Sequence, residues 1–249
     1  MKPENHSPEP FRQRFWQNWC DILFIHWEID PAAIAAVLPP ELEPDLYQGK
    51  AWVGLVPFRM SGIRPVGLPA LPYLSHTLET NLRTYVRHKD QAQNTADRAV
   101  WFFSLEAANP FAVVAARLGY GLKYHRANMW LNQHHHADGK TIFAAGSMRR
   151  WPDPAPVSSF VQAEIPPGPF QEAKADTLEH FLVERYALFS QHRQRIRKAL
   201  VRHEPYKIKL ATLIDCNPQL IAAAGLPIPR NVIENAIVHR AMDVRVRVG

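Results

Sequence analysis

The sequence predicts an α+β protein that is mainly β, and three observations support this fold class. The chain of 249 residues carries 22 prolines spread along its whole length, which is typical of many short elements joined by turns. Several segments alternate between apolar and polar residues or are apolar throughout, as strands are. The helical segments are short and do not alternate regularly with the strands, so the sheet is expected to be largely antiparallel.

The predicted strands differ in how they are buried. Lys50–Met60 and Ala99–Glu106 are almost continuously apolar and are expected to be covered on both faces. Arg126–Gln133 and Thr141–Arg149 flank Asp138-Gly139, a dipeptide that is typical of a β-hairpin turn. Further strands are predicted over His76–Arg87, Val157–Ile165, Tyr206–Leu213 and Met242–Val248.

Three short helices are predicted from one recurring signature, an N-cap side chain directly before a proline. Asp30-Pro31, Asn109-Pro110 and Asn217-Pro218 each place a hydrogen-bond acceptor ahead of a residue that suits the first helical position. An alanine-rich apolar segment follows each pair. The predicted ends of the three helices are Pro39-Pro40, Gly119 and Gly225.

The longest helix is predicted over Leu178–Gln191, where Asp176 or Thr177 opens an apolar stripe at helical spacing. Arg185 lies one heptad after Leu178 and therefore falls on that stripe. A guanidinium at such a position either extends to solvent or pairs with a buried acid. We expect Arg185 to be buried, paired and structural.

The segment His76–Arg87 concentrates the polar chemistry of the chain. In a strand, Glu79, Asn81, Arg83 and Tyr85 share one face, while the even-numbered residues share the other. Acid, amide, guanidinium and phenol would stand in a row, with roughly 6–7 Å between successive members. On an open sheet this row is an ordinary half-exposed face, whereas inside a closed barrel it is a polar binding site. The residues alone leave both alternatives open.

Composition and charge exclude several classes of protein and partner. The net charge is +6, but the basic residues are dispersed and match no nucleic-acid-binding motif, so a solvated basic face and no nucleic-acid partner are expected. No apolar run approaches the length of a membrane span, so no membrane association is predicted.

The first ten residues and the two cysteines bear on domain organisation and compartment. Met1–Pro10 is polar, without the apolar core of a secretory signal, and is expected to be a disordered tail before a single domain over residues 11–249. Cys20 and Cys216 are expected to be reduced thiols of a cytoplasmic protein.

Neither a metal nor an organic cofactor is predicted. His134 and His136 would share one face of a strand, but no third ligand follows at a recognisable spacing. Beside Asp138-Gly139, these histidines are expected to form a solvated hairpin tip. A glycine-rich phosphate loop and a Gly-x-Ser-x-Gly elbow are both missing from the sequence.

Short phrases along the chain resemble one known family. Between Phe15 and Gly225, their order and spacing are similar to the YqjF-like family of uncharacterised bacterial proteins, and Glu79–Val86 is the most specific of them. The other phrases are His26-Trp27, Leu38-Pro39-Pro40, Gly49–Phe58, Phe102–Leu105, Ala116-Arg117, Gly121–Tyr124 and Glu184–Tyr186.

This family is assigned to the acetoacetate-decarboxylase-like superfamily, and the resemblance implies a closed, cone-shaped antiparallel β-barrel with helices packed outside. In such a barrel, the polar row of residues 79–85 turns inward. The decarboxylases carry a Schiff-base lysine in a Gly-x-Pro-Lys-Lys phrase. Aligned at Gly121, this chain has Tyr124 in place of the reactive lysine, His125 in place of its cationic neighbour and Lys123 in place of the proline. Because one residue of slip reverses the face of a strand side chain, Lys123 is not a simple replacement.

The sequence and the resemblance together predict a polar pocket for a keto acid or a related carboxylated or carbonyl compound. The candidate catalytic residues are Glu79, Tyr85 and Tyr124, and the candidate substrate-binding residues are Asn81, Arg83, Lys123 and His125. These parts fit lyase, isomerase or hydratase chemistry better than Schiff-base decarboxylation. The alternative is a non-catalytic small-molecule binding protein on the same fold. Catalysis itself and assembly as a homo-oligomer are both left open.

Overall fold

A single large sheet with four short helices forms the described part of the chain, which comprises residues 11–91, 98–152, 156–192 and 194–249 of a computed structural model. Strands hold 54% of the residues and helices 13%, so the mainly β prediction is confirmed. The strands are β1 Phe15–Cys20, β2 Leu23–Ile29, β3 Leu42–Pro44, β4 Ala51–Pro65, β5 Thr77–His88, β6 Ala99–Ala107, β7 Tyr124–His135, β8 Thr141–Trp151, β9 Ser158–Ile165, β10 Gln171–Glu172, β11 Ala187–His192, β12 Arg195–Arg202, β13 Lys207–Asn217, β14 Ile237–Ala241 and β15 Val244–Val248. The helices are α1 Pro31–Val37, α2 Pro110–Tyr120, α3 Leu178–Val183 and α4 Gln219–Ala223.

The sheet closes on itself twice. In the first ring, hydrogen bonding runs in the order β1–β15–β12–β11–β6–β5–β4 and returns to β1. The second ring runs β6–β7–β8–β9–β13–β14–β2–β4–β5 and returns to β6. Strands β4, β5 and β6 belong to both rings and form a shared wall. Among the described strands, the pairs are antiparallel apart from β6–β11 and β6–β7, so the largely antiparallel prediction is confirmed.

The two rings enclose different interiors. The second ring is packed with apolar side chains such as Ile25, Leu55, Trp101 and Phe143, each at most 2% exposed. We call this the packed core. The first ring contains a cavity of about 420 Å³.

Alternation along the shared wall separates the two interiors. On β4, Leu55 packs in the core while Val56 borders the cavity. On β6, Phe103 packs in the core and Phe102 borders the cavity. The β5–β6 register shifts by one residue at Phe103, a β-bulge that resets the alternation of β6.

Two helix N-caps form as predicted. Asp30 Oδ1 accepts a hydrogen bond from Ala32 N at 2.9 Å at the start of α1. Asn109 Oδ1 accepts from Phe111 N at 3.0 Å at the start of α2. Both prolines occupy the first helical turn, where a missing N–H costs nothing.

Two predicted helix boundaries are wrong by one or two residues. α2 continues past Gly119 to Tyr120, because Gly121 is the residue that adopts the left-handed conformation, with φ of 65°. α4 begins at Gln219, because Asn217 is still part of β13 and pairs with Phe160 of β9. Pro218 is therefore the N-cap residue in place of Asn217.

The long helix predicted over Leu178–Gln191 is wrong. α3 ends at Val183, and β11 pairs with β12 and β6 instead. In β11, Leu188 borders the cavity and Phe189 packs in the core, so apolar residues are needed on both faces. Consecutive apolar residues of this kind do not distinguish a helix from a doubly covered strand.

The remaining strand predictions are confirmed within a few residues, including the hairpin of β7 and β8 around Asp138-Gly139, where Gly139 has φ of 84°. The strands that were not predicted are β1, β2, β3, β10, β11, β12 and β14. The predicted tail, Met1–Pro10, lies outside the described residues. None of the described helices has both the length and the apolar character needed to cross a membrane.

Candidate functional site

The cavity lies inside the first ring and is walled mainly by apolar and aromatic side chains. Its aromatic walls come from residues that are far apart in sequence: Phe15, Trp19, Phe24, Phe58, Phe102 and Tyr206. α2 lines one side with small residues, Ala112, Ala116 and Gly119. An apolar cavity of this size with a few polar groups is typical of a small-molecule site.

Three of the four polar residues predicted on β5 line this cavity. Glu79, Asn81 and Arg83 border it and are 3%, 5% and 8% exposed. Leu82 and Val86, on the opposite face of the strand, are fully buried in the packed core. The alternation predicted for this strand is therefore present, and both of its faces are buried.

Glu79 and Tyr124 form a hydrogen-bonded pair in the cavity wall. The Tyr124 hydroxyl donates to Glu79 Oε2 at 2.7 Å. Burial raises the pKa of Glu79 to about 7, although hydrogen bonds from Tyr124 and Asn81 lower it. Burial and the neighbouring Glu79 raise the pKa of Tyr124 well above its usual value, so its hydroxyl keeps its proton.

The turn after α2 places Tyr124. A Cβ on Gly121 would come within 2.8 Å of the Gln191 carbonyl oxygen, and its φ is positive, so this position requires glycine. Arg117 Nη1 then donates to the Tyr124 carbonyl at 2.6 Å, and β7 begins in parallel pairing with Leu105. These contacts direct the Tyr124 side chain towards Glu79.

Arg83 is a buried guanidinium without an acidic partner among the described residues. Its Nη2 donates to the carbonyl oxygen of Leu182 at 3.0 Å and to the Tyr85 hydroxyl at 3.4 Å, while Nε has no protein acceptor. Leu182 lies in the last turn of α3, where carbonyl groups have no partner within the helix. Part of the donor capacity of Arg83 is therefore not used by the described residues.

Tyr85 is predicted as a catalytic residue, but it does not border the cavity. It is 0% exposed, and its hydroxyl donates to Leu182 O at 2.5 Å. Since that bond uses the hydroxyl hydrogen, His26 Nε2, at 2.7 Å, is the donor to Tyr85. Tyr85 is buried beneath α3, where its ring lies 5.3 Å from that of Phe181. From there its hydroxyl accepts a hydrogen bond from Arg83.

His26 is a positioning residue that the sequence did not single out by its chemistry. Burial and the charge of Arg83 lower its pKa well below the usual value, so the imidazole stays neutral. Gly54 lies opposite, where a Cβ would be 2.9 Å from His26 Cδ2. Because Gly54 has no side chain, the His26 ring fits against its backbone. A glycine within an apolar strand often marks such a close approach, so Gly54 was the one sequence feature that pointed to His26.

Arg185 is buried and paired with a carboxylate, as predicted. Its Nη1 lies 3.0 Å from Asp45 Oδ2, and the two side chains are 5% and 2% exposed. Its guanidinium also stacks over the rings of Phe181 and Tyr85, at 4.3 and 4.9 Å from their centroids. Arg185 borders the cavity as well, although its position after the end of α3 differs from the predicted helical stripe.

Lys123 and His125, the other predicted substrate-binding residues, do not border the cavity. Both flank Tyr124 on the chain, so their side chains point away from the face that Tyr124 presents. Lys123 is exposed, with Nζ 5.5 Å from the Trp101 ring centroid. His125 Nδ1 lies 3.4 Å from the Pro152 carbonyl oxygen, and burial, with the charge of Arg149, lowers its pKa to about 4.

The described residues contain no cluster of three potential metal ligands. His134 and His136 stack edge to face at 4.7 Å on the exposed hairpin tip, away from the cavity.

Sequence comparisons agree with the family resemblance. The profile of DUF2071, a family described as an uncharacterized conserved protein, matches residues 16–245. The uncharacterized protein YqjF of Bacillus subtilis (strain 168) is 30% identical over 215 residues, which cover 86% of this chain and 83% of that protein.

Several solved structures are similar at low sequence identity. The enduracididine biosynthesis enzyme MppR complexed with pyruvate has a TM-score of 0.58 and 12% identity, over 99% of this chain and 92% of that chain. An acetoacetate decarboxylase-like enzyme from Sphingomonas wittichii RW1 has a TM-score of 0.57 and 13% identity, over 96% and 92%. Acetoacetate decarboxylase from Legionella pneumophila has a TM-score of 0.52 and 13% identity, over 99% and 93%.

These structural likenesses establish a common fold. Because the family profile spans nearly the whole chain, this protein belongs to the DUF2071 family, with a fold similar to that of acetoacetate decarboxylase-like enzymes.

Proposed function

We propose that this protein binds a small carboxylated or carbonyl compound in the cavity and moves a proton on it through Glu79. The observation that carries this proposal is the hydrogen-bonded pair of Glu79 and Tyr124 in the cavity wall. A buried carboxyl group beside a ligand site, oriented by one firm donor, is suited to general acid–base catalysis. The reaction would be a lyase, isomerase or hydratase step on a keto acid or a related compound.

The environment of Glu79 suits proton transfer at neutral pH. Proton transfer is most efficient when the pKa of the catalytic group lies near the working pH, and Glu79 has a pKa of about 7. The Tyr124 hydroxyl can donate its hydrogen bond to a substrate oxygen in place of Glu79, as negative charge develops on that oxygen.

Arg83 supports binding of a carboxylate. It is 8% exposed and, within the described residues, forms no ion pair, whereas Arg185 is paired with Asp45. An unpaired buried cation is costly unless a bound anion compensates it. The structurally similar enzyme MppR, complexed with pyruvate, binds an anion of this kind.

The position of Tyr124 separates this chemistry from Schiff-base decarboxylation. Tyr124 stands where the alignment at Gly121 places the reactive lysine of the decarboxylases, and a phenol cannot form an imine. Lys123 lies outside the cavity. The proposed reaction therefore relies on acid–base catalysis without a Schiff-base intermediate.

The finer architectural predictions form part of the same proposal. We propose that the double ring is the closed, cone-shaped barrel that the resemblance implies, with its helices packed outside. A cytoplasmic location, a single domain over residues 11–249 and assembly as a homo-oligomer stay predictions.

A non-catalytic small-molecule binding protein is the second candidate function. The apolar and aromatic walls favour it, because they supply binding energy without chemistry.

Hydrogen–deuterium exchange, followed by ¹H NMR, tests the proposal and distinguishes the two functions. Oxo acids of increasing length are incubated with the protein in D₂O, and loss of the hydrogens beside the carbonyl is measured. We expect the wild type to accelerate exchange for at least one acid and Glu79→Gln to lose most of that acceleration. Glu164→Gln is the matched control, since Glu164 pairs with Lys140 on the outer face of β9.

Binding without accelerated exchange would support the binding protein. Neither binding nor exchange across the series would contradict both functions.

A further inference from the structure

The acidic and the cationic groups of the cavity form two separate sites. The first, which we call the acid pole, consists of Glu79 and Tyr124. The second, the arginine pole, consists of Arg83 and Arg185. Because Glu79 and Arg83 are four residues apart on β5, their Cα atoms are about 13 Å apart.

The side chains at the two poles diverge. Glu79 is held by Tyr124, whereas Arg83 Nη2 donates to the hydroxyl of Tyr85, which lies further along β5 in the direction away from Glu79. The guanidinium and the carboxyl group therefore do not converge on one small molecule between them.

The arginine pole carries excess positive charge. Arg83 and Arg185 both lie beside the Tyr85 ring, with Cζ at 5.6 and 4.9 Å from its centroid. Asp45 compensates one of them, at 3.0 Å from Arg185. A monocarboxylate would complete this pole through charge-assisted hydrogen bonds.

The wall between the poles is apolar apart from Asn81. The register of the shared wall places Asn81 of β5 between Val56 of β4 and Leu105 of β6, and all three border the cavity. Phe58 lies beside Glu79 and completes this side. A ligand that extends from one pole to the other passes along methyl groups, an aromatic ring and the amide of Asn81, whose Oδ1 has no hydrogen-bond partner among the described residues.

We infer that the natural ligand is an elongated oxo acid, with its carboxylate at the arginine pole and its carbonyl at the acid pole. This inference rests on the proposed function and names its substrate class. Because the two side chains diverge, we take the Cα separation of about 13 Å as the lower bound on the distance between the two groups. Subtracting a contact of about 3 Å at each end leaves at least roughly 7 Å inside the ligand. Three backbone bonds span about 3.8 Å, so roughly 7 Å corresponds to about five or six bonds. Pyruvate and acetoacetate are too short to reach both poles.

Titration calorimetry with a homologous series tests the inference. The probes are pyruvate, 4-oxopentanoate, 6-oxoheptanoate and 7-oxooctanoate, with octanoate and octan-2-one as analogues that lack the carbonyl or the carboxylate. We expect 6-oxoheptanoate or 7-oxooctanoate to bind about tenfold or more tightly than pyruvate.

Variants assign each end of the ligand to its pole. Arg83→Gln should weaken the oxo acids by about tenfold and leave octan-2-one unchanged, because it removes the charged partner. Glu79→Gln should reduce the preference for 7-oxooctanoate over octanoate. Thermal melting checks that each variant folds. If Arg83→Gln does not fold, Arg83→Lys is used instead, because it keeps the charge but not the planar donors.

The outcomes separate the inference from the proposed function. Tightest binding of pyruvate, or affinity independent of chain length, overturns the elongated ligand and leaves the proposed function standing. If no carboxylate binds more tightly than octan-2-one, the carboxylate site at the arginine pole is overturned. If neither the oxo acids nor octan-2-one bind, the proposed function itself is overturned.

Discussion

Neighbouring residues of the shared wall face different rings of the sheet and have different environments. Leu82 is fully buried in the packed core, whereas the next residue, Arg83, borders the cavity. On the adjacent strand, Phe103 and Phe102 divide in the same way. Because both faces belong to the same backbone, packing on one side fixes the position of the polar groups on the other. The second ring therefore supplies close packing, and the first ring encloses the cavity.

A matched pair of phenylalanines on β6 gives the largest expected difference between the rings. Phe103→Ala should lower the free energy of unfolding by about 3–5 kcal/mol, because it opens a void in the packed core. Phe102→Ala should cost about half as much or less, since its ring already borders the cavity. Urea unfolding measures both. Equal losses would show that the first ring contributes as much packing energy as the second.

The two arginines of the cavity sharpen the comparison within the first ring. Arg185→Ala should destabilise the fold by about 3 kcal/mol, because it leaves Asp45 buried and without its closest partner. Arg83→Ala should leave stability nearly unchanged or raise it, as polar groups kept for binding often lower stability. Paired thermal denaturation is the measurement. If Arg83→Ala proves the more damaging, Arg83 holds the fold, and its role as a ligand residue is withdrawn.

Glu79 should make the stability of the first ring depend on pH. Its pKa is raised from 4.5 to about 7, so the folded state favours the protonated form. This stabilisation is complete below about pH 4.5 and is lost as the pH rises through 7. Between these limits, the wild type should lose on the order of 3 kcal/mol relative to Glu79→Gln.

Denaturant unfolding at a series of pH values measures this dependence, with Glu164→Gln as the control that follows the wild type. Parallel pH profiles of the wild type and Glu79→Gln would show that the carboxyl group of Glu79 is not tuned by burial.

Two glycines test how tightly each part of the site is packed. Gly54→Ala should destabilise by about 1–3 kcal/mol, because the new Cβ would be 2.9 Å from the His26 ring. Gly119→Ala should stabilise by about 0.5 kcal/mol, since no atom lies within 4 Å and alanine favours a helix. Thermal melting checks both signs. A neutral Gly54→Ala variant would mean that His26 moves freely and does not position Tyr85.

No effect at all is expected from borohydride trapping. With pyruvate or a longer oxo acid, reduction should leave no adduct on the protein, because Lys123 lies outside the cavity and Tyr124 replaces the lysine. Intact-mass measurement followed by peptide mapping checks this. A stable adduct at Lys123 would show that the strand shifts its register and that a Schiff base forms.

Local patterns predicted much of this fold and part of the site. The alternation of β5 correctly placed Glu79, Asn81 and Arg83 on one face. The N-caps of α1 and α2 were predicted from an Asp or Asn side chain directly before a proline. The length of α3 could not be predicted, because Leu188 and Phe189 are apolar for two different interiors. A strand covered on both sides has no periodicity that separates it from a helix.

The long-range partners were beyond sequence reasoning. Asp45 and Arg185 meet although they lie in distant parts of the chain, and β1 closes the first ring against β15. The burial of Tyr85 depends on α3 lying over it, through Leu182. Nothing in the local sequence around Tyr85 distinguishes it from the three cavity residues before it.

The helix beside the cavity has a further consequence for how this fold can change. α2 presents Ala112, Ala116 and Gly119 to the cavity, so its extent on that side is set by side chains that are small. None of these positions takes part in the hydrogen bonds at either pole. Larger residues there would reduce the volume of the cavity while Glu79 and Arg83 stay in place. Under the proposed function, the size of the ligand can therefore evolve, or be engineered, separately from the chemistry.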